Sequence, residues 1–427
     1  MPDGFNHKLM QFLQSSPTPF HAVTNMGEKL SAAGFDELDE RQPWPLEAGG
    51  RYWVSRNDSS IIAFKMPAAD AKPAFTMLGA HTDSPCLRIK PNPERIKLGY
   101  FQLGVEVYGS ALLNPWFDRD LSLAGRVVVR CNTQLQTKLL DLKRPLAIIP
   151  SLAIHLDRTA NQQHSINAQT DLPPILGQQL GDEANLRDLL HRHLTQQRLA
   201  VDQVVDYDLC LYDCQSPSLV GINNEFLAAA RLDNLLSCYI GLDSLLAADD
   251  GPGQLLICND HEEVGSQTAE GAQGSFLLTL IQRLYPNVIE QQRMLAASVM
   301  ISIDNAHGVH PNFADKHDDR HGPILNQGPV IKLNANQRYA TNAVTSSLIR
   351  ELARQYRLPL QSFVVRSDMG CGSTIGPITA AQLGIRTLDM GVPTLAMHSI
   401  RELAGTTDPW TLQQLLTHCL TTEVDIQ

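Results

Sequence analysis

The sequence predicts an α/β protein: a mixed sheet covered by helices on both faces, with a separate β-rich unit inserted into the chain. Three observations predict it. Apolar runs of strand length alternate with helical stripes up to about residue 90 and again after Gly221. Between about Pro91 and Gly221 that alternation gives way to short strand-like runs separated by turn residues. Several apolar runs outside this stretch end in histidine or carboxylate residues, the position at which open α/β sheets hold their ligands. A chain of 427 residues is long enough for two or three domains. The expected division is a discontinuous domain of residues 1–90 and 222–427 with residues 91–221 inserted.

Residues 5 to 33 read as helix, broken by Ser15-Ser16-Pro17-Thr18-Pro19. Phe20, Val23, Met26, Gly27 and Leu30 form one apolar stripe on the second half. Strand-like runs follow at Ile61 to Phe64 and Ala74 to Ala80. The middle of the chain offers Val105 to Tyr108, Leu121 to Arg130 and Leu146 to Ile149. A helix is expected through Leu186, Leu189, Leu190 and Leu194. After Gly221, a helical stripe from Leu235 to Leu246 ends at Gly251-Pro252-Gly253. Apolar runs then appear at Leu255 to Cys258, Ala297 to Ile303, Ser362 to Val365 and Met390 to Met397.

Composition narrows the function. A net charge of −11 and a pI near 5.7 argue against nucleic acid as the main partner, because a polyanion calls for a basic face. No run of 18 apolar residues offers a membrane span, and Met1-Pro2-Asp3-Gly4 does not open like a signal peptide. A cytoplasmic location is expected. The eight cysteines are scattered, several inside apolar runs, and read as reduced core thiols.

The chemistry collects at the ends of the apolar runs. Leu255-Leu256-Ile257-Cys258 leads through Asn259-Asp260-His261 into Glu262 and Glu263. Two adjacent carboxylates at a buried sheet edge repel each other and lose hydration, so solvent, a basic partner or a metal ion must neutralise them. Ala74 to Ala80 leads into His81 and Asp83, which face the same way in an extended chain, so Asp83 can orient the His81 ring as a carboxylate orients a metal-binding histidine. Asp304 ends a third run, while Asp233 and His398 lie in connecting turns. Nitrogen and oxygen donors of this kind suit zinc, cobalt or manganese.

Taken together, Ser16-Pro17-Thr18-Pro19-Phe20-His21-Ala22, the stretch from Trp116 to Arg126, Asp260-His261-Glu262-Glu263-Val264-Gly265-Ser266, Gly328-Pro329-Val330-Ile331-Lys332 and Met397-His398-Ser399-Ile400-Arg401-Glu402 resemble the aspartyl aminopeptidases, and the likeness runs from end to end. The resemblance implies a dinuclear zinc exopeptidase with an α/β catalytic domain and an inserted dimerisation domain. It implies His81 and Asp304 on one metal, Glu263 and His398 on the other, and Asp233 bridging both. Glu262 becomes the general base and Asp83 the residue that orients His81. Two ions sharing a water lower its pKa towards ~7 and polarise the scissile carbonyl. Glu262 would take the water proton and pass it to the leaving amine.

Two further residues take roles from the same resemblance. His155 would reach a neighbouring subunit's active site and contact substrate at the reacting carbonyl; a buried structural histidine and a metal ligand are its alternatives. Lys332 would face an acidic first residue of the substrate, which favours Asp or Glu there; a solvated strand-end lysine is the alternative. The expected substrates are short peptides with a free N-terminus, and the expected assembly is a homo-oligomer, in the family a dodecamer. A related dinuclear deacylase and a silent metal-stabilised scaffold stand as the other functions. His307, His310, His317 and His321 crowd together, but their spacing fits neither a zinc finger nor a zincin helix, so they are expected to line a pocket or a subunit contact rather than bind metal.

Overall fold

A computed structural model describes residues 2–178, 185–199 and 201–422. The chain divides into two compact units, one of residues 1–84, 217–397 and 402–427, the other of residues 85–216 with the short return 398–401.

The larger unit is built on a nine-stranded sheet. From one edge its order is Asp36–Glu37, Arg51–Arg56, Ser60–Lys65, Gly253–Asn259, Phe75–His81, Val299–Ile303, Arg386–Gly391, Val330–Leu333 and Gln361–Val364. The four central strands, Gly253–Asn259 to Arg386–Gly391, run parallel to one another, and antiparallel pairs flank them on both sides. Side chains alternate between two cores, as a sheet covered on both faces requires. Leu78, Ala80, Leu256, Cys258, Ile301 and Ile303 join the helices Pro2–Ser15, Pro19–Ala32, Leu232–Ala247 and Asp408–Thr421. Phe75, Met77, Leu255, Ile257 and Met300 face the helices Phe276–Leu284 and Val288–Ala297. A smaller five-stranded sheet carries Ser218–Val220, Phe226–Ala229, Glu402–Gly405, Pro393–Leu395 and Ala306–His307.

The second unit is a six-stranded antiparallel sheet, ordered Gln134–Asp141, Leu121–Cys131, Gln203–Asp213, Cys86–Lys97, Tyr100–Tyr108 and Ile175–Gln178. The helix Leu186–Gln196 packs Leu186, Leu190 and Leu194 into its core. The run Leu146 to Ile149, expected as a strand, makes only two isolated bridges, Leu121 to Ala147 and Ile148 to Ile175. Pro145 and Pro150 bracket it, and neither can donate to a ladder.

Candidate active site

Parallel strands deliver their carboxyl ends to one edge, and the register decides which residues meet there. Asn259 pairs with His81, and Ser302 pairs with Gly79, so two residues further on Asp304 comes level with His81. Gly391 allows this approach: a Cβ there would lie 1.9 Å from the Asp304 carbonyl oxygen. Asp233 stands in the non-helical first turn of the helix Leu232–Ala247, which the chain enters from the strand Phe226–Ala229 through a left-handed Arg231.

His81 is buried, and its Nδ1 lies 3.1 Å from the Asp83 carbonyl oxygen and 3.3 Å from the Asp83 carboxylate. Those contacts turn Nε2 towards the acids: it stands 3.3 Å from Asp233 Oδ1, 3.7 Å from Asp304 Oδ1 and 4.0 Å from Glu262 Oε2. Asp83 does more than orient the ring. Its Oδ1 accepts the Glu262 N–H and its Oδ2 the Glu263 N–H, each at 3.1 Å. The paired glutamates are therefore held through their main chains.

One ligand atom each from His81, Asp233 and Glu263 lies within 4.8 Å of the other two. Asp304 stands beside this group with both carboxylate oxygens held, Oδ1 by Asn234 Nδ2 at 2.8 Å and Oδ2 by Lys332 Nζ at 3.0 Å. Lys332 is buried, which removes its solvated alternative, and its ammonium also donates to the carbonyls of Asp304 and Asn305. His398 groups with the second unit, where its Nδ1 lies 3.1 Å from the Ser110 carbonyl oxygen. His155 is exposed in a turn of that unit, so it is not a buried structural histidine.

The four clustered histidines spread over separate contacts. His307 and His317 pack edge-on against Phe363, His310 lies against Phe313, and His321 binds Asp318 at 2.6 Å. They form no donor group among the described residues.

Charge crowding marks the site electrostatically. Burial raises the Glu262 carboxyl to about 7, with Asp304, Asp83 and Asp233 adding to the rise and His81 opposing it. Burial, then Asp233, lifts Glu263 well above the carboxylate range. For His81, burial opposes the charged ring, yet Asp233, Asp304 and Asp83 outweigh it and raise the imidazole well above its ordinary value. Carboxylates gathered round one histidine Nε2, with its Nδ1 already engaged, are the donor set and the charge pattern that a divalent cation fits.

Fold and site together define a metal-dependent α/β hydrolase. Residues 12–418 match the family model described as aminopeptidase I zinc metalloprotease (M18). The chain is 58% identical over 420 residues to the "Probable M18 family aminopeptidase 2" of Pseudomonas putida, with 98% of each chain covered. Among solved structures, a chain of the Ape4 and Nbr1 complex superposes with a TM-score of 0.94 at 38% identity, over 98% of this chain and 86% of that one. The yeast mApe1 dodecamer gives 0.82 at 27% identity, over 96% and 95%. The chain belongs to the M18 family of zinc metallo-aminopeptidases and is a peptide hydrolase. Among its described residues, no helix is long and apolar enough to cross a membrane.

The sequence assigns no role to Asn234 or Glu402, and it does not show that Lys332 lies beside Asp304. Glu402 ends the stretch Met397 to Glu402, and Asn234 follows Asp233. Nothing in their spacing marked either as a partner of the site.

Proposed function

We propose that this aminopeptidase removes the first residue, preferentially Asp or Glu, from short peptides at a two-zinc centre. In this reading His81 and Asp304 serve one ion, Glu263 and His398 the other, and Asp233 both. The observation that carries it is the division of labour between adjacent glutamates. Glu263 supplies an atom to the donor group with His81 and Asp233, while Glu262 stands beside that group with its carboxylate 4.0 Å from His81. Bound zinc would supply the Lewis acidity that polarises the scissile carbonyl and acidifies the attacking water. Glu262, whose burial favours taking up a proton, accepts one from that water and delivers it to the leaving amine. Asp83 fixes the His81 ring and the backbone of both glutamates during the transfer.

Acidic selectivity rests on Lys332, the cation buried beside Asp304. To serve a substrate carboxylate, Lys332 turns a donor from the Asn305 carbonyl to the ligand, and the opposite charges favour that exchange. The inserted residues 91–221 serve as the dimerisation domain, His155 acts on substrate across subunits, and the subunits assemble as a dodecamer, as the yeast relative does. The eight thiols suit a reducing cytoplasm.

The test is turnover of Asp-, Glu- and Leu-anilides by the zinc-loaded enzyme, with and without chelator, beside Glu262→Ala. Chelation should abolish turnover. Glu262→Ala should lower it by about 10²–10⁴-fold while zinc content stays intact. Appreciable activity in Glu262→Ala would remove the general base, and equal rates on Leu- and Asp-anilides would remove the acidic preference. Hydrolysis of N-acyl amino acids in place of the anilides would favour the deacylase.

A further inference from the structure

Glu402 is 2% exposed, and its Oε2 accepts the backbone N–H of Asp233 at 3.0 Å, across 169 residues of sequence. The sheet explains the meeting. Ala229 pairs with Glu402 in the antiparallel ladder of Phe226–Ala229 and Glu402–Gly405, so Glu402 lies beside the strand whose continuation carries Asp233. On the other side of the same residue, Ser84 Oγ donates to the Asp233 carbonyl oxygen at 2.5 Å. The main chain of Asp233 is thus held at both ends, and its side chain is aimed at His81.

Hydrogen bonds on both sides of its main chain fix the direction in which Asp233 presents its carboxylate, and outer partners of this kind orient a ligand and bear on metal affinity. We infer that Glu402 is a positioning residue: its carboxylate fixes the backbone from which Asp233 reaches the zinc site. The inference rests on the two-zinc reading of the site.

The experiment measures zinc affinity by competition with a chromophoric chelator, zinc per subunit by elemental analysis, and melting of the metal-free protein, for wild type, Glu402→Ala, Glu402→Gln and Asp233→Asn. Glu402→Ala should bind zinc about 10–100-fold more weakly, with a modest fall in the metal-free melting temperature because the buried Asp233 N–H loses its acceptor. Glu402→Gln keeps an acceptor for the Asp233 amide, so its zinc affinity should stay near wild type. Wild-type zinc affinity in Glu402→Ala overturns the inference, as does a loss of affinity no larger than the loss of folded metal-free protein. Should Glu402→Ala not fold, Glu402→Leu keeps the volume without an acceptor and decides by the same criterion. Asp233→Asn separates the underlying reading: if that variant keeps its full zinc complement, the two-zinc site fails whatever Glu402 does.

Discussion

Asp83 shows how one side chain can organise several others. Its two carboxylate oxygens receive the amides of Glu262 and Glu263, and its carbonyl and carboxylate both face His81 Nδ1. Replacing it with asparagine turns one acceptor into an NH₂ group that faces an amide donor. We expect Asp83→Asn to destabilise the metal-free protein by about 1–3 kcal/mol, the penalty for leaving a buried donor unsatisfied, and to weaken zinc binding. Urea denaturation of the metal-free variant is the measurement. A loss under about 0.5 kcal/mol, the size of an ordinary surface change, would mean the glutamate backbone is held by other contacts. The candidacy of His81, Asp83, Glu262, Glu263 and Asp304 was legible in the sequence because each follows an apolar strand by a few residues. The holding groups were not: Asn234 reaches Asp304 across 70 residues and Glu402 reaches Asp233 across 169, and such contacts depend on sheet order, which a linear pattern does not carry.

At the scale of elements, strand register places the donors. The central strands were readable as apolar runs, and the helical breaks at Pro17, Pro19 and Gly251-Pro252-Gly253 were readable from turn chemistry. The pairing of Val299–Ile303 between Phe75–His81 and Arg386–Gly391 was not, since Val299 meets Thr76, 223 residues before it, and Arg386, 87 residues after it. That pairing makes Gly391 a test of the site. Met390 pairs with Ile303, so Gly391 comes level with Asp304, and a Cβ added there would meet the Asp304 carbonyl oxygen at 1.9 Å. Backbone must move to admit it. Gly391→Ala should destabilise the protein by about 1–3 kcal/mol, as overpacking does, and lower zinc affinity because Asp304 shifts with its strand. An unchanged melting temperature together with full activity would show that the strand end yields without disturbing Asp304.

At the scale of the whole molecule, the segment Leu152 to Leu156 is the least expected feature of the chain. Leu152 is 62% exposed, Ile154 48% and Leu156 75%, and His155 stands among them in an exposed turn. Apolar side chains concentrated on one exposed turn favour burial against another surface, and a second copy is the occupant the proposed oligomer supplies. If His155 completes the site of a neighbouring subunit, its loss and the loss of Glu262 strike different partners of one active site. Oligomers of His155→Ala and of Glu262→Ala should each be nearly inactive. When they are dissociated, mixed in equal amounts and reassembled, some sites pair an intact Glu262 with an intact His155 from the neighbour, so activity should return to about a quarter of wild type by random pairing. A histidine acting within its own subunit gives no such recovery, because every mixed subunit still lacks one of the two groups.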